Sequence, residues 1–370
     1  MDRINELVTM SHKYGSNPAL VLAGGGNTSY KNDENIYIKG SGTALATIEA
    51  EGFVKMDRTK LALLWQKNYS SDEKTREAQV LADMMAAKCP GEEAKRPSVE
   101  TLLHNLLAQR FVLHLHPAMV NGITCGQEGK EVCARLFPEA VWIESTKPGY
   151  ILALLCKEKI DAYKQVMGKE PQVLFLQNHG VFVAADEVEE IDVLMDQILN
   201  TIRGAVKQMP NRQACKYDTA ATDQVKAQLA ALYGDGAAVE VVVNEDVLTF
   251  AASKEAFEPV AHSFTPDHIV YCKTEPIYLD SAADLAEAFK AYEAAHGFKA
   301  KIVVIRDLGL FACGASKKDA QTAAMVFEDA IDIAVYSQSF GGALPLEEYL
   351  VEFIANWEVE SYRAKVSSKA

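Results

Sequence analysis

The stretch Phe111-Val-Leu-His-Leu-His-Pro117 places two histidines two residues apart inside an apolar run. On an extended strand, residues two apart share a face. A strand stopped by Pro117 therefore aims His114 and His116 the same way. A third histidine, His179, lies in Gln177-Asn178-His179-Gly180, just after the strand-like run Val173-Leu-Phe-Leu176. Three neutral imidazoles plus an open position make the donor set of a catalytic zinc ion rather than a structural one. The competing interpretation is plain. An isolated H-x-H is a weak pattern, and a strand histidine is often an ordinary core or surface residue.

The chain has 370 residues, which suggests two domains. A net charge of -14 argues against a nucleic-acid surface, because phosphate binding needs clustered Lys and Arg. No apolar run approaches a bilayer-spanning length. The start, Met1-Asp-Arg-Ile-Asn-Glu, is charged and lacks the apolar core of a signal peptide. The seven cysteines are scattered and none forms C-x-x-C, so neither a zinc knuckle nor a redox pair is expected. The chain is expected to be cytoplasmic with reduced thiols.

Asn5 to Tyr14 is expected to be helical. Ala19 to Ala23 has the character of a strand running into Gly24-Gly25-Gly26-Asn27-Thr28-Ser29-Tyr30. Asn35 to Lys39 is a second strand, closed by Gly40-Ser41-Gly42-Thr43, and a hairpin between the two is plausible. Ser71 to Lys88 is helical in composition. Pro97-Ser98-Val99-Glu100 opens another helix, with Ser98 as N-cap and Leu102, Leu103, Leu106 and Leu107 as its apolar stripe. Helices are expected from Tyr150 and over 188–207. Met209 to Gln213 is the best linker candidate.

The second half repeats part of the first. Phe137 to Leu152 aligns with Phe264 to Leu279, each with prolines ten apart, at 138 and 148 and at 266 and 276. Leu176-Gln-Asn-His-Gly-Val-Phe182 aligns with Ile305-Arg-Asp-Leu-Gly-Leu-Phe311. His179 then matches Leu308, so the second copy lacks that candidate ligand. One supersecondary unit used twice is the simplest account, and chance likeness of two αβ segments is the alternative.

The glycine turns do not fit nucleotide motifs. Gly24-Gly25-Gly26 lacks the third glycine of G-x-G-x-x-G, and neither turn ends in G-K-[ST]. What remains is two turns rich in hydroxyls and backbone N–H groups, able to form a concave anion site to which Lys39 and Lys31 could add charge. Ordinary hairpin chemistry explains the same glycines equally well. Glu100, at the start of a helix, is the candidate acid/base, against the simpler role of decorating a helix N-terminus.

The motifs gain meaning from their order. Gly26-Asn-Thr-Ser29, Lys39-Gly-Ser-Gly42, Pro97-Ser-Val-Glu100, His114-Leu-His-Pro117 and Asn178-His-Gly-Val181 follow one another in a pattern that strongly resembles the class II aldolase/adducin family. The resemblance covers about residues 5 to 205. Within that family it is most similar to the aldolase portion of bacterial rhamnulose-1-phosphate aldolase/dehydrogenase fusions, through Arg96 to Thr101 and Phe340-Gly-Gly-Ala-Leu-Pro-Leu346. A dehydrogenase half is not expected in this chain.

The resemblance implies an α/β fold: a class II aldolase-like αβα sandwich with a central, mostly antiparallel sheet, followed by a degenerate partial repeat. The implied domains are a catalytic one over 1–210 and the repeat over 218–370. It implies His114, His116 and His179 as Zn2+ ligands and Glu100 as the catalytic carboxylate. Gly26, Asn27, Ser41, Gly42 and Ser98 would hold the substrate phosphate. Val99 stands where simple fuculose aldolases have a second serine, so one hydroxyl contact to the anion is missing. The implied reaction is cleavage of L-rhamnulose or L-fuculose 1-phosphate to dihydroxyacetone phosphate and L-lactaldehyde. A pentulose-phosphate 4-epimerase, a thiosugar-phosphate dehydratase and a non-catalytic adducin-like module are the alternatives. The expected partner is a small sugar phosphate, with no nucleic acid and no membrane. Family aldolases form four-fold rings, so a homo-oligomer is expected. The second half could stand in for a neighbouring subunit, two chains then making a pseudo-four-fold ring, or it could be a peripheral domain.

Overall fold

The computed structural model describes residues 2–357, which divide into two units. The first comprises 1–120 and 130–204, and the second 121–129 and 205–370; residues 358–370 lie outside the described residues.

The first unit is built on seven strands: β1 (Asn27–Lys31), β2 (Asn35–Lys39), β3 (Phe53–Asp57), β4 (Phe111–Leu115), β5 (Val141–Ile143), β6 (Val173–Leu176) and β7 (Gly180–Ala185). Their order is β3-β2-β1-β4-β7-β6-β5. All neighbouring strands are antiparallel except β5 and β6. This is the mixed α/β class with a mostly antiparallel central sheet. Alternation sends Ile36, Ile38, Val54, Met56, Val112, Leu174, Phe182 and Ala184 to one face. They form a core with Leu102, Leu103, Leu152 and Cys156 from the helices Thr101–Leu106 and Tyr150–Met167. Removing each large side chain of this kind from water stabilises the fold by about 1.5–3 kcal/mol. The N-terminal helix, Asp2–Gly15, buries Leu7 and Met10 and bonds Ser11 Oγ to Thr28 Oγ1 at 2.7 Å. Its Tyr14 hydroxyl donates to Asp192 on the helix Val188–Ala205.

One expected strand is absent. Ala19 to Ala23 is a turn region, with the Leu20 and Val21 amides donating to the Asn17 carbonyl at 2.9 and 3.0 Å. The strand lies further on, in the polar Asn-Thr-Ser-Tyr-Lys of β1. Apolar composition misleads here because the polar side chains of β1 have partners and so tolerate burial. The β1–β2 hairpin itself forms as the sequence suggests, with Tyr30 opposite Tyr37.

The second unit carries β8 (Ala238–Val242), β9 (Ile277–Leu279), β10 (Ile302–Ile305) and β11 (Gly309–Gly314), in the order β8-β11-β10-β9. Only β9 and β10 are parallel. Order and directions are those of β4-β7-β6-β5 in the first unit. The tight turns match as well: Leu176 faces Gly180 and Ile305 faces Gly309, while Asn178 and Asp307 both take positive φ, 56° and 59°. The upstream alignment does not hold at the level of structure. Val141–Ile143 is a strand, whereas the aligned 268–270 lies in the helix Pro266–Cys272. A capping box between Thr265 and His268, followed by Pro266, starts that helix. The sheet counterpart of β5 is β9, after Pro276. The proposed linker is not loose either. Its Asn211 amide donates to Asp246, and Arg212 grips both oxygens of Asp332 at 3.2 and 2.7 Å.

Gly180 is the tightest point of the first sheet. A Cβ there would lie 2.3 Å from the Leu115 carbonyl oxygen and 2.7 Å from the His116 ring. Backbone on one side cannot move without breaking the β4–β7 ladder. Gly180→Ala should therefore destabilise the protein by about 1–3 kcal/mol. A thermal melt checks this, with Gly204→Ala as the control, since nothing lies within 4 Å of a Cβ there.

Candidate metal centre

Three elements bring the histidines together. His114 is the fourth residue of β4, and His116 follows one residue beyond its end. His179 occupies the β6–β7 turn, where its amide closes onto the Leu176 carbonyl at 3.1 Å. One ring nitrogen from each lies within 4.8 Å of the others. Nε2 of His114 and Nε2 of His116 approach to 2.8 Å. His114 is fully buried, its ring stacked on Phe182 with centroids 3.9 Å apart. That contact follows from register, because His114 and Phe182 are direct cross-strand partners.

Glu100 completes the cluster. Oε1 lies 3.1 Å from His114 Nε2 and 3.4 Å from His179 Nε2, and Oε2 accepts a hydrogen bond from the Asn27 amide. Ser98 was expected to cap the helix. Instead Glu100 takes the cap position, with φ -87° and ψ 11°, and Ser98 Oγ accepts from the Glu100 amide at 3.2 Å. The Ser98 carbonyl takes the Thr101 amide. Glu100 makes no side-chain cap bond of its own, so its carboxylate is available to face the histidines.

Burial raises the Glu100 carboxyl, but when the imidazoles are protonated the charge and hydrogen bond of His114, with His179 and His116 behind them, take it below the ordinary carboxylate range. Burial lowers His114, with the Glu100 carboxylate opposing. A carbonyl can only accept, so His114 Nδ1–H donates to Val181 O at 3.0 Å. Its Nε2 is left as a lone pair aimed into the cluster. Glu100 Oε1 has no hydrogen-bond donor among the described residues. An anionic oxygen facing imidazole nitrogens is a buried set short of positive charge, and a divalent cation fits it. The backbone carbonyl behind His114 is the usual second partner of a metal-binding imidazole.

The glycine turns lie beside this cluster in the chain and in the fold. Gly40 bridges Pro97, with Ser41 N–H donating to Arg96 O at 2.8 Å and Ser98 N–H to Lys39 O at 3.0 Å. This joins Ser41 and Gly42 to Ser98, two residues before Glu100. Gly42 takes φ 89° and Gly26 φ 70°, both left-handed. Lys39 is buried with its ammonium 3.2 Å from the Gly24 carbonyl, at the other glycine turn. Lys31 goes elsewhere. It is buried on the Asn27 face of β1 and donates to the His104 carbonyl at 2.9 Å, which commits its ammonium there. Asn27 serves Glu100 in this structure.

Sequence inspection missed Ser29, His104 and Phe182. Ser29 Oγ sits 2.8 Å from His104 Nδ1, and His104 packs edge-on against Phe182. The signal was periodic: Ser29 is two residues past Asn27 on a strand, and His104 four past Glu100 on a helix.

The class II aldolase and adducin N-terminal domain is matched over residues 5–203. The chain belongs to the class II aldolase and adducin family. A curated relative from Bacillus subtilis (strain 168), an uncharacterized oxidoreductase named YuxG, is 23% identical over 97% of this chain. The chain spans 58% of the length of that relative. Among solved structures, the N-terminal class II aldolase domain of a conserved protein from Thermoplasma acidophilum is 27% identical, covering 54% of this chain and 92% of that one, with a TM-score of 0.46. L-fuculose-1-phosphate aldolase from Thermus thermophilus is 15% identical, covering 55% of this chain and 93% of that one, with a TM-score of 0.37. No helix among the described residues is long and apolar enough to cross a membrane.

Protein loaded with divalent metal and freed of excess should retain about one ion per chain by elemental analysis, matching the one three-histidine set among the described residues. His179→Ala should lose it. Equal retention by the variant would place the ion elsewhere.

Proposed function

We propose that this chain is a zinc-dependent aldolase that cleaves a ketose 1-phosphate of the L-rhamnulose or L-fuculose type. The products are dihydroxyacetone phosphate and an aldehyde such as L-lactaldehyde. The observation that carries this reading is a carboxylate oxygen, Glu100 Oε1, 3.1 and 3.4 Å from two of three clustered histidines, on a segment tied to two glycine–hydroxyl turns.

His114, His116 and His179 would hold the ion, which supplies Lewis acidity toward a carbonyl oxygen and its neighbouring hydroxyl. Gly26, Ser41, Gly42 and Ser98 would receive the phosphate through hydroxyl and amide donors, with Lys39 contributing charge. The phosphate anchors the sugar so that its reacting carbons lie near Glu100. Cleavage breaks the C3–C4 bond, and the proton of the 4-hydroxyl would pass to the Glu100 carboxylate as the aldehyde forms. The electron pair stays with the three-carbon fragment, whose C3 then takes up a proton. Glu100 Oε1 would deliver that proton, and would remove it in the synthetic direction. Phe182 and the apolar face beneath His114 keep water from the protein side of the centre.

The catalytic domain would extend over about 1–210, and the second half would be a degenerate relative of it without its own metal. A pentulose-phosphate 4-epimerase would use the same carboxylate and ion, so the substrate panel below separates the two. Incubation with several ketose 1-phosphates, with dihydroxyacetone phosphate detected by a coupled assay, should give chelator-sensitive turnover for at least one. Glu100→Gln should keep the metal and lose activity by about 100-fold or more. Full activity in Glu100→Gln, or turnover indifferent to chelator, would overturn the proposal.

A further inference from the structure

β1 runs through the middle of the first sheet, yet every second residue on its His114 side is polar and buried: Asn27, Ser29 and Lys31. Neighbouring β2 presents Ile36 and Ile38 on that same face. The polar trio meets a single partner element. Asn27 Nδ2 donates to Glu100 Oε2, Ser29 Oγ lies 2.8 Å from His104 Nδ1, and Lys31 Nζ donates to the His104 carbonyl at 2.9 Å. Residues two apart on a strand are separated by about 6.6 Å, and residues four apart on a helix rise by about 6 Å. Strand and helix periods therefore match over the first two rungs.

We propose that Asn27, Ser29, Lys31 and His104 form a positioning ladder that sets the register of the Thr101–Leu106 helix and so fixes the Glu100 carboxylate against His114 and His179. The helix has only six residues, too short to hold itself. Leu102 and Leu103 fasten it to the core, but apolar contact is non-directional and permits sliding. Hydrogen bonds at fixed spacing do not. A slide of the helix start carries Glu100 with it, and a displacement near 1 Å at a reacting group costs about 100-fold in rate. A set of buried polar residues retained only for stability would be replaceable by an apolar face like that of β2. The positioning role predicts that it is not.

This inference rests on Glu100 as the proton-transfer group, so its test carries an arm that does not. Ser29→Ala and His104→Leu break the middle rung. His104→Asn keeps a polar atom at the Nδ1 position. Crystal structures of the three variants are compared for the Glu100–His114 and Glu100–His179 contacts. In parallel, exchange of a hydroxymethyl hydrogen of dihydroxyacetone phosphate with D2O is measured per folded, metal-loaded chain. The ladder predicts that Ser29→Ala and His104→Leu displace Glu100 and slow exchange by about 10–100-fold with KM little changed. His104→Asn recovers most of the rate. Glu100 unmoved in both broken-rung crystals, or exchange in both at the wild-type rate while Glu100→Gln abolishes it, overturns the ladder. If wild-type protein performs no exchange, the aldolase reading fails, and the crystals alone decide the ladder. Should His104→Leu fail to fold, Ser29→Ala, which removes one buried oxygen, carries both arms.

Discussion

Asn27, His114 and Phe182 stand in one cross-strand row over β1, β4 and β7. The site depends on that register. A slip of one residue in β4 would turn His114 to the opposite face, away from Glu100, and put Leu113 or Leu115 in its place. The row does more than aim one histidine. It supplies the Asn27 amide that holds Glu100, and the Phe182 ring that His114 stacks on and His104 meets edge-on. The absence of a side chain at Gly180 lets the β6–β7 turn bring His179 against the end of β4.

Polar residues in a sheet interior are costly unless each is bonded; an unmade bond there costs about 1–3 kcal/mol. β1 meets that condition on both faces. Thr28 bonds Ser11 of the N-terminal helix on one side, and Asn27, Ser29 and Lys31 bond the Glu100 segment on the other. Burial, then the charge of Arg58, hold Lys31 well below its ordinary pKa. His104 is lowered by the same burial. A rigid, dry backing of this kind keeps the electron-rich cluster from relaxing toward solvent.

Much of this was legible in the sequence. His114 and His116 announced a strand through their spacing. The Leu176–Phe182 and Ile305–Phe311 segments announced their likeness by alignment, and the structure adds that both are tight turns with positive φ at Asn178 and Asp307. The order of motifs named the family. Other features lay beyond reach for physical reasons. β1 has almost no apolar residues, so hydropathy placed the strand too early, at Ala19 to Ala23. Ser98 looks like a cap, and only the backbone shows that Glu100 occupies that position. Lys31 lies within a few residues of the glycine turns in sequence, but four residues along β1 from Asn27 its ammonium is taken by the His104 carbonyl. The residues after Phe264 resemble a strand, and become a helix because Thr265, Pro266 and His268 form a capping box. Partners distant in sequence decided each of the β1 features, and local capping decided the rest.

The proposed chemistry rests on His114, His116 and His179 forming one divalent-metal centre with Glu100 beside it. Anomalous diffraction at the zinc edge, on crystals of zinc-loaded protein, tests it directly. A single strong peak per chain is expected, about 2.0–2.1 Å from a ring nitrogen of each of the three histidines. A strong peak at other residues, with none between these three rings, would contradict it.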